Sequence, residues 1–349
     1  MNYIDKLINK VNWKLIKLKN KFYKLPIFTD DKSVAYVLGV SNHPNAGDQE
    51  ITLAQKKFIN KYLPEYHYVE IEKEKIKYII DDLVQILKRN DIVFFQGGGT
   101  MSNLYPEHEL PRQMVLEKLR TFPGKIIQFP VSFYFENMDE FNKVKNIYNN
   151  AKNLKLFVRE SKSYKILNST LDIPVYHVPD IVLSQNEANS HSKRGSNIVV
   201  MFRKDKECLL PANLSKKIID YFSSISPIII TDNYVHKHRP TTEVNREYLL
   251  ESKFSEFQSA KLIITDRLHG MIFAYITKTP AIVFDNSYGK VKYSYLDWLT
   301  NCDYIKFLPA DTTNLDDVID AYNQLTKIDI NFSLDVDSAF LPLINEIKH

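Results

Sequence analysis

The sequence predicts an α/β protein of two Rossmann-like, doubly wound domains with a cleft between them. Three observations predict it. From Ser33 onward, short runs that are apolar on both faces alternate with longer helix-like stretches. A polar stretch without periodicity, Gln185 to Ser196, divides the alternation into two series. Glycines, arginines and a histidine gather where strands hand over to helices. Runs apolar on both faces and separated by helices belong to parallel sheets covered on both sides.

In the first series, strands are expected at Val34–Val40, Tyr66–Ile71, Ile92–Gln96, Lys125–Val131, Leu154–Val158 and Val175–His177. Helices are expected near Gln49–Tyr62, Lys75–Arg89, Glu109–Thr121 and Glu140–Asn150. The second series has strands at Asn197–Phe202, Pro227–Thr231, Leu262–Thr265, Ala281–Phe284 and Tyr304–Phe307, separated and followed by helical patterns. The expected domains are therefore 31–190 and 191–349, with the last helix packing back on the first domain. Ahead of them, residues 1–30 form a basic amphipathic segment. Ile4, Leu7, Ile8, Val11, Leu15, Leu18 and Phe22 recur at helical spacing, with lysines on the other faces. A helix of this kind over residues 1–24 can lie on an anionic bilayer surface, or pack on the protein's own body or a partner subunit. Its interspersed lysines argue against a secretory signal.

Composition narrows the class. The chain has 349 residues, 44% of them apolar and 25% charged, as in a globular domain pair. A formal charge of +4 permits anionic partners but does not identify nucleic acid. Zinc-finger spacing, an RNA-binding aromatic signature and a basic recognition helix are all missing, so no nucleic-acid partner is expected. Cys208 and Cys302 form neither a CxxC pair nor a disulfide framework, and a reducing cytoplasm is the simpler setting. No apolar run has the length of a membrane span.

The most telling stretch is Thr265-Asp266-Arg267-Leu268-His269-Gly270, between the strand at Leu262–Thr265 and a helical segment. In open α/β sheets that crevice binds ligands. The unpaired first amides of the helix favour an anion. Arg267 adds a planar fork for carboxylate or phosphate, and His269 a proton donor. Arg203 ends the first strand of the same domain, which places a second guanidinium at the same edge. Gly97-Gly98-Gly99 and Thr100 follow the strand at Ile92–Gln96, where three glycines let backbone amides approach a ligand. The sequence is neither Walker A nor GxGxxG, so no nicotinamide cofactor is indicated. Asn45, Gly47 and Asp48 occupy the equivalent position after Val34–Val40; Asp48 reads better as the cap of the following helix than as a sugar ligand. Arg159 and Glu160 add a further polar strand end. His43 can face the cleft, whereas His236 and His238 read as a solvated basic loop. Tyr105 and Tyr288 are placed to stack on a sugar ring. No His, Asp or Glu set has metal-ligand spacing, so neither a metal nor a cofactor is expected.

These residues, taken in order, resemble the polysaccharide pyruvyl transferases. The resemblance runs from about Val37 to Lys292. It rests on Asn45-x-Gly47-Asp48, Gly97-Gly98-Gly99-Thr100, Arg159-Glu160-Ser161, Pro179-Asp180, Arg203, and Asp266-Arg267-Leu268-His269-Gly270 with Pro280 and Asp285-Asn286 after it. It implies a fold similar to the GT-B glycosyltransferases. It also implies transfer of the enolpyruvyl group of phosphoenolpyruvate onto a sugar as a ketal, with release of phosphate. Arg203, Arg267, Leu268 and His269 would then hold the donor, and Asn45, Gly47, Asp48, Gly97, Gly98, Gly99, Thr100, Arg159 and Glu160 would line the acceptor side. The acceptor would be a glycan or a lipid-linked oligosaccharide at the inner face of the membrane.

The chemistry agrees with that donor, which carries a carboxylate and a phosphate within a few bonds and demands clustered positive charge. Ketal formation requires protonation of the methylene carbon, and His269 is the chosen acid. Asp266, Glu160 and Asp48 are the candidates for the base; His269 and Asp266 are taken as the catalytic pair. The rival readings are a glycosyltransferase using a nucleotide sugar and a non-catalytic glycan-binding scaffold.

Overall fold

The computed structural model describes residues 18, 20–188, 194–235, 240–328 and 330–349. Most of the basic amino-terminal helix expected over residues 1–24 falls outside them, as do His236 and His238.

The first sheet contains β1 (Val34–Val40), β2 (His67–Glu72), β3 (Ile92–Phe95), β4 (Gly98–Ser102), β5 (Lys125–Tyr134), β6 (Leu154–Val158) and β7 (Val175–His177). Its helices are α1 (Ala46–Tyr62), α2 (Lys73–Ile86), α3 (Pro106–Lys118), α4 (Met138–Asn150) and α5 (Ser161–Thr170). The order is β2-β1-β3-β5-β6-β7, with β4 paired to β5 beyond the end of β3. The second sheet holds β8 (Ile198–Met201), β9 (Ile228–Ile230), β10 (Leu262–Thr265), β11 (Ala281–Phe284) and β12 (Ile305–Leu308), in the order β12-β11-β10-β8-β9. Between and after these strands run α6 (Ala212–Ile225), α7 (Glu243–Gln258), α8 (Leu268–Ile276), α9 (Lys290–Trp298), α10 (Leu315–Leu325), α11 (Val336–Ala339) and α12 (Leu341–Lys348). Every strand pair is parallel. The α/β, GT-B-like arrangement expected from the sequence is the one observed.

Side-chain parity explains why the strands read as unbroken apolar runs. In β1, Ala35 and Val37 enter a central core, while Val34, Tyr36 and Leu38 enter the outer core of the first sheet. In β8, Val199 and Met201 face the central core, and Ile198 and Val200 the outer core of the second sheet. The central core takes residues from both sheets and from α1, α7 and α8, so the two layers share one interior.

Polar contacts then fix the two halves. Arg246 on α7 donates to both oxygens of Glu70 on β2 at 2.8 and 2.7 Å, and to Gln49 on α1 at 2.9 Å. The start of α1 and the loop before it join the second half through Ala46 N–H to the Asn233 carbonyl (2.8 Å) and Thr241 N–H to the Asn42 carbonyl (2.7 Å). Trp298 Nε1 donates to the Arg159 carbonyl (2.9 Å), and Asp297 accepts the Ser161 N–H (2.6 Å). The C-terminal segment crosses to the first sheet: Phe340 lies 5.7 Å from Phe58, and Glu346 accepts from Tyr176.

Glu50, on α1, is fully buried, and neither carboxylate oxygen has a partner. Burial raises its pKa from 4.5 to about 8, against smaller effects of nearby charges. A carboxyl raised in the folded state contributes its full stability below the unfolded value and loses it as pH climbs to the folded one. The wild type should therefore lose stability between about pH 4.5 and 8, and Glu50→Gln should flatten that slope. Thermal melts across this range check it; parallel profiles for the two proteins would refute it.

Candidate active site

The carboxyl ends of both sheets face one cleft of ≈ 290 Å³, whose walls are loops and helix starts following the strands. Doubly wound sheets bind ligands there.

On the first-sheet wall, Asn45 caps α1, accepting from Gly47 N–H at 3.0 Å. The cap is thus Asn45 and not Asp48, because the helix begins at Ala46 rather than near Gln49. Asp48 is thereby released from capping and faces the cleft, with His43 Nε2 at 3.6 Å. Burial would raise its pKa, but nearby positive charge, that of Lys73 included, prevails and lowers it. Its carboxylate is ionised.

Across the cleft, His269 sits in the first turn of α8. Arg267 is the N-cap residue and supplies no side-chain cap, so the helix presents its first amides uncapped. The imidazole packs directly on Gly47: a β-carbon at residue 47 would overlap its Nδ1. Gly47 is required for this close approach rather than for contact with a ligand. His269 Nε2 lies 3.8 Å from Asp180 Oδ2 and has no hydrogen-bond partner. Asp180 is held in turn by Arg159 Nη1 at 2.6 Å, and Arg159 Nε donates to Ser132 at 2.7 Å. Burial lowers the His269 pKa, and the opposing pull of Asp180 does not restore it. The expected near-neutral acid is thus an uncharged ring in the unliganded cleft; an anion bound beside it would favour its protonation.

Arg203 and Arg267 both reach the cleft, but neither is unpaired. The Arg203 side chain, 8% exposed, is held by Asp205 at 2.9 Å and Glu207 at 2.7 Å. Arg267 Nη2 donates to the half-exposed Asp232 at 2.7 Å, while its Nε is buried without a partner. Asp266 departs from expectation. Its carboxylate is buried behind the wall, where Oδ1 accepts the Arg203 N–H at 2.8 Å, and burial raises its pKa to about 6. That bond ties β10 to β8; Oδ2 is buried without a partner, and Asp266 is not among the residues lining the cleft. Glu160 is likewise buried, in a small adjoining pocket, where it accepts from Ser132 at 2.9 Å and its pKa is pushed up to about 7 by burial.

The glycine run is also not the ligand-facing loop expected. Gly98 and Gly99 belong to β4, and Gly97 backs onto the Pro130 carbonyl. Gly98 has φ +99°, which turns the chain from β3 into β4. Only Gly99 and Thr100 of the run reach the cleft, and Gly99 lies against Arg159.

The model of the polysaccharide pyruvyl transferase family matches residues 45–288, from the α1 cap to the loop before α9. The chain belongs to the polysaccharide pyruvyl transferase family. General stress protein 30 of Bacillus subtilis is 33% identical over 321 residues, covering 90% of this chain and 92% of the relative. Pyruvyl transferase 1 of Schizosaccharomyces pombe is 27% identical over 303 residues, 79% of this chain and 72% of its own. A crystal structure of an uncharacterised Klebsiella pneumoniae protein superposes with TM-score 0.52 at 20% identity, covering 86% of this chain and 98% of that one; it shows the fold alone.

The cleft of this family member contains residues beyond those the sequence singled out. Lys73 follows β2, Asn233 and Tyr234 follow β9, Lys290 opens α9, and Glu107, His108, Asp205 and Glu207 complete the walls. Lys290 Nζ donates to Glu207 at 2.6 Å; burial, with Arg203 and Arg159, lowers its pKa. The strand-end rule that found Arg267 also reaches Lys73, which directly follows Glu72. Among the described residues no group of His, Cys, Asp or Glu is arranged to hold a metal ion, and no helix is long and apolar enough to cross a membrane.

Proposed function

We propose that this pyruvyl transferase takes phosphoenolpyruvate as donor and forms a ketal on a sugar of a polysaccharide or its lipid-linked precursor. The observation that carries the reading is the convergence of His269, Arg267 and the uncapped amides of α8 on one side of the cleft. A donor with two anionic ends suits that set, since guanidinium and helix amides both favour oxyanions. Its arrival raises the proton affinity of the buried imidazole. His269 then delivers a proton to the methylene carbon, which becomes a methyl group and leaves a cationic centre at the carbon bearing phosphate. One acceptor hydroxyl adds to that centre and yields its proton to Asp48, the ionised carboxylate of the cleft. A second hydroxyl displaces phosphate, which departs with the bonding electron pair; its proton passes to the His269 imidazole, left neutral by the first transfer, and the ketal closes.

Incubation with phosphoenolpyruvate and envelope glycans should release phosphate and yield a new ketal methyl signal by NMR. Turnover with a nucleotide sugar alone would overturn the reading. Asp232 competes with the donor for Arg267, yet it is half-exposed, and such pairs contribute only ~0.2–1 kcal/mol. Asp232→Asn should therefore lower the donor KM by about 1.5–5-fold. Initial rates at varied donor concentration test this, and a raised KM would count against it.

A further inference from the structure

The cations around the cleft differ in one respect that this mechanism does not use. Arg203 is matched by Asp205 and Glu207, Arg267 by Asp232, Lys290 by Glu207 and Arg159 by Asp180. Lys73 forms no ion pair among the described residues. Its ammonium makes its contact with His108 Nε2 at 2.7 Å, a distance that requires the ring nitrogen to accept. Burial, helped by the neighbouring ammonium, pushes the His108 pKa down to about 3, so the ring is uncharged. It holds Lys73 in position without cancelling the charge. The carboxylate before it, Glu72, is turned elsewhere, toward Asn42 at 3.1 Å and Lys75 at 2.8 Å. Lys73 is also the first residue of α2, whose start has no side-chain cap. Carboxylates stand nearby, Asp48 and Glu107 among the cleft residues, but none is in direct contact with the ammonium, and a partly desolvated cation without a direct partner favours an anion beside it.

Asp48 relates this point to the proton chemistry. It lines the same cleft as Lys73, His108 and His269, with His43 Nε2 at 3.6 Å. An acceptor hydroxyl at Asp48 therefore brings the adjacent part of the same sugar toward Lys73.

We propose that Lys73, oriented by His108, binds an anionic group carried by the acceptor itself, a phosphate or carboxylate on the sugar whose hydroxyls react. The enzyme then selects charged over neutral acceptors. This rests on the pyruvyl transfer reading of the cleft, and its test separates the two.

Calorimetry on the full chain, with and without saturating phosphoenolpyruvate, takes three probes sharing one ring: methyl glucoside, methyl glucuronide and glucose 1-phosphate. In the presence of phosphoenolpyruvate, one charged probe should bind at least ~10-fold more tightly than the neutral glucoside, as expected of a hydrogen bond to a charged group. Lys73→Gln should abolish the difference, Lys73→Arg should retain most of it, and both should bind phosphoenolpyruvate as the wild type does. The better charged probe distinguishes phosphate from carboxylate. The proposal fails if the three probes bind alike or not at all, if the preference survives Lys73→Gln, or if phosphoenolpyruvate displaces the charged probe. A wild type that binds a charged sugar through Lys73 but ignores phosphoenolpyruvate keeps this proposal and removes the donor assignment.

Discussion

Replacing His269 with alanine is expected to lower turnover by about 10²–10⁴-fold, the usual contribution of a general acid. The fold should survive, because Nε2 makes no hydrogen bond that the variant would lose. A pH series gives the independent signature. In the free enzyme burial holds the His269 pKa below its ordinary value. If the protonated ring is the active form, kcat/KM falls as pH rises through that lowered pKa. The corresponding limb of kcat lies at higher pH, since a bound dianion favours the imidazolium. Stability moves in a related way. A histidine whose folded pKa is depressed contributes above its unfolded pKa and loses that contribution as pH drops below it. His269→Ala should accordingly be less sensitive to acid than the wild type. A variant with near wild-type rates, or identical pH limbs for the two parameters, would remove His269 from the chemistry.

Gly47→Ala should damage the enzyme despite being favourable by local propensity. Residue 47 lies in the first turn of α1 and does not have a positive φ, so alanine alone would strengthen the helix by up to ~1 kcal/mol. The added methyl instead meets the His269 ring. Overpacking of this kind costs ~1–3 kcal/mol. Displacing a reacting group by about 1 Å can cost ~10²-fold in rate. The double variant Gly47→Ala/His269→Ala decides the cause, because removing the ring removes the severe overlap and leaves only the β-carbon of residue 269, 3.1 Å from the added methyl. Gly47→Ala should therefore lower the melting temperature of His269→Ala far less than it lowers that of the wild type, a strong departure from additivity. If Gly47→Ala alone keeps full activity and stability, the packing account is wrong.

The fold was legible wherever burial on both faces left an uninterrupted apolar run. Val34–Val40, Leu154–Val158, Leu262–Thr265 and Ala281–Phe284 form strands over the residues expected. Helix starts slipped by two or three residues because the decisive signals were single residues: Asn45 as a cap, Pro106 in the first turn. Strand-end chemistry located Arg203, Arg267, Leu268 and His269 in one cleft, together with Asn45 and Asp48. What stayed illegible is pairwise and distant in the chain. Nothing near Gly47 announces that His269 packs on it. Nothing near Asp266 announces that its carboxylate serves the backbone of Arg203 rather than a substrate. The three glycines read as a ligand-facing loop because they let backbone amides approach closely; pairing of β4 with β5 overrode that for all but Gly99. The carboxylates matching Arg203 and Arg267 were likewise invisible until the chain was folded.

Those carboxylates have a consequence for selectivity in the cell. Chloride or a stray acetate arriving at Arg267 must evict Asp232, and at Arg203 it must evict Asp205 and Glu207, so it exchanges one attraction for another of similar strength. A ligand with two negative ends can meet several of these positions in a single event and so escape that deadlock. The cleft thus discriminates by valence, and abundant small ions should be poor inhibitors at concentrations where a dianion already saturates.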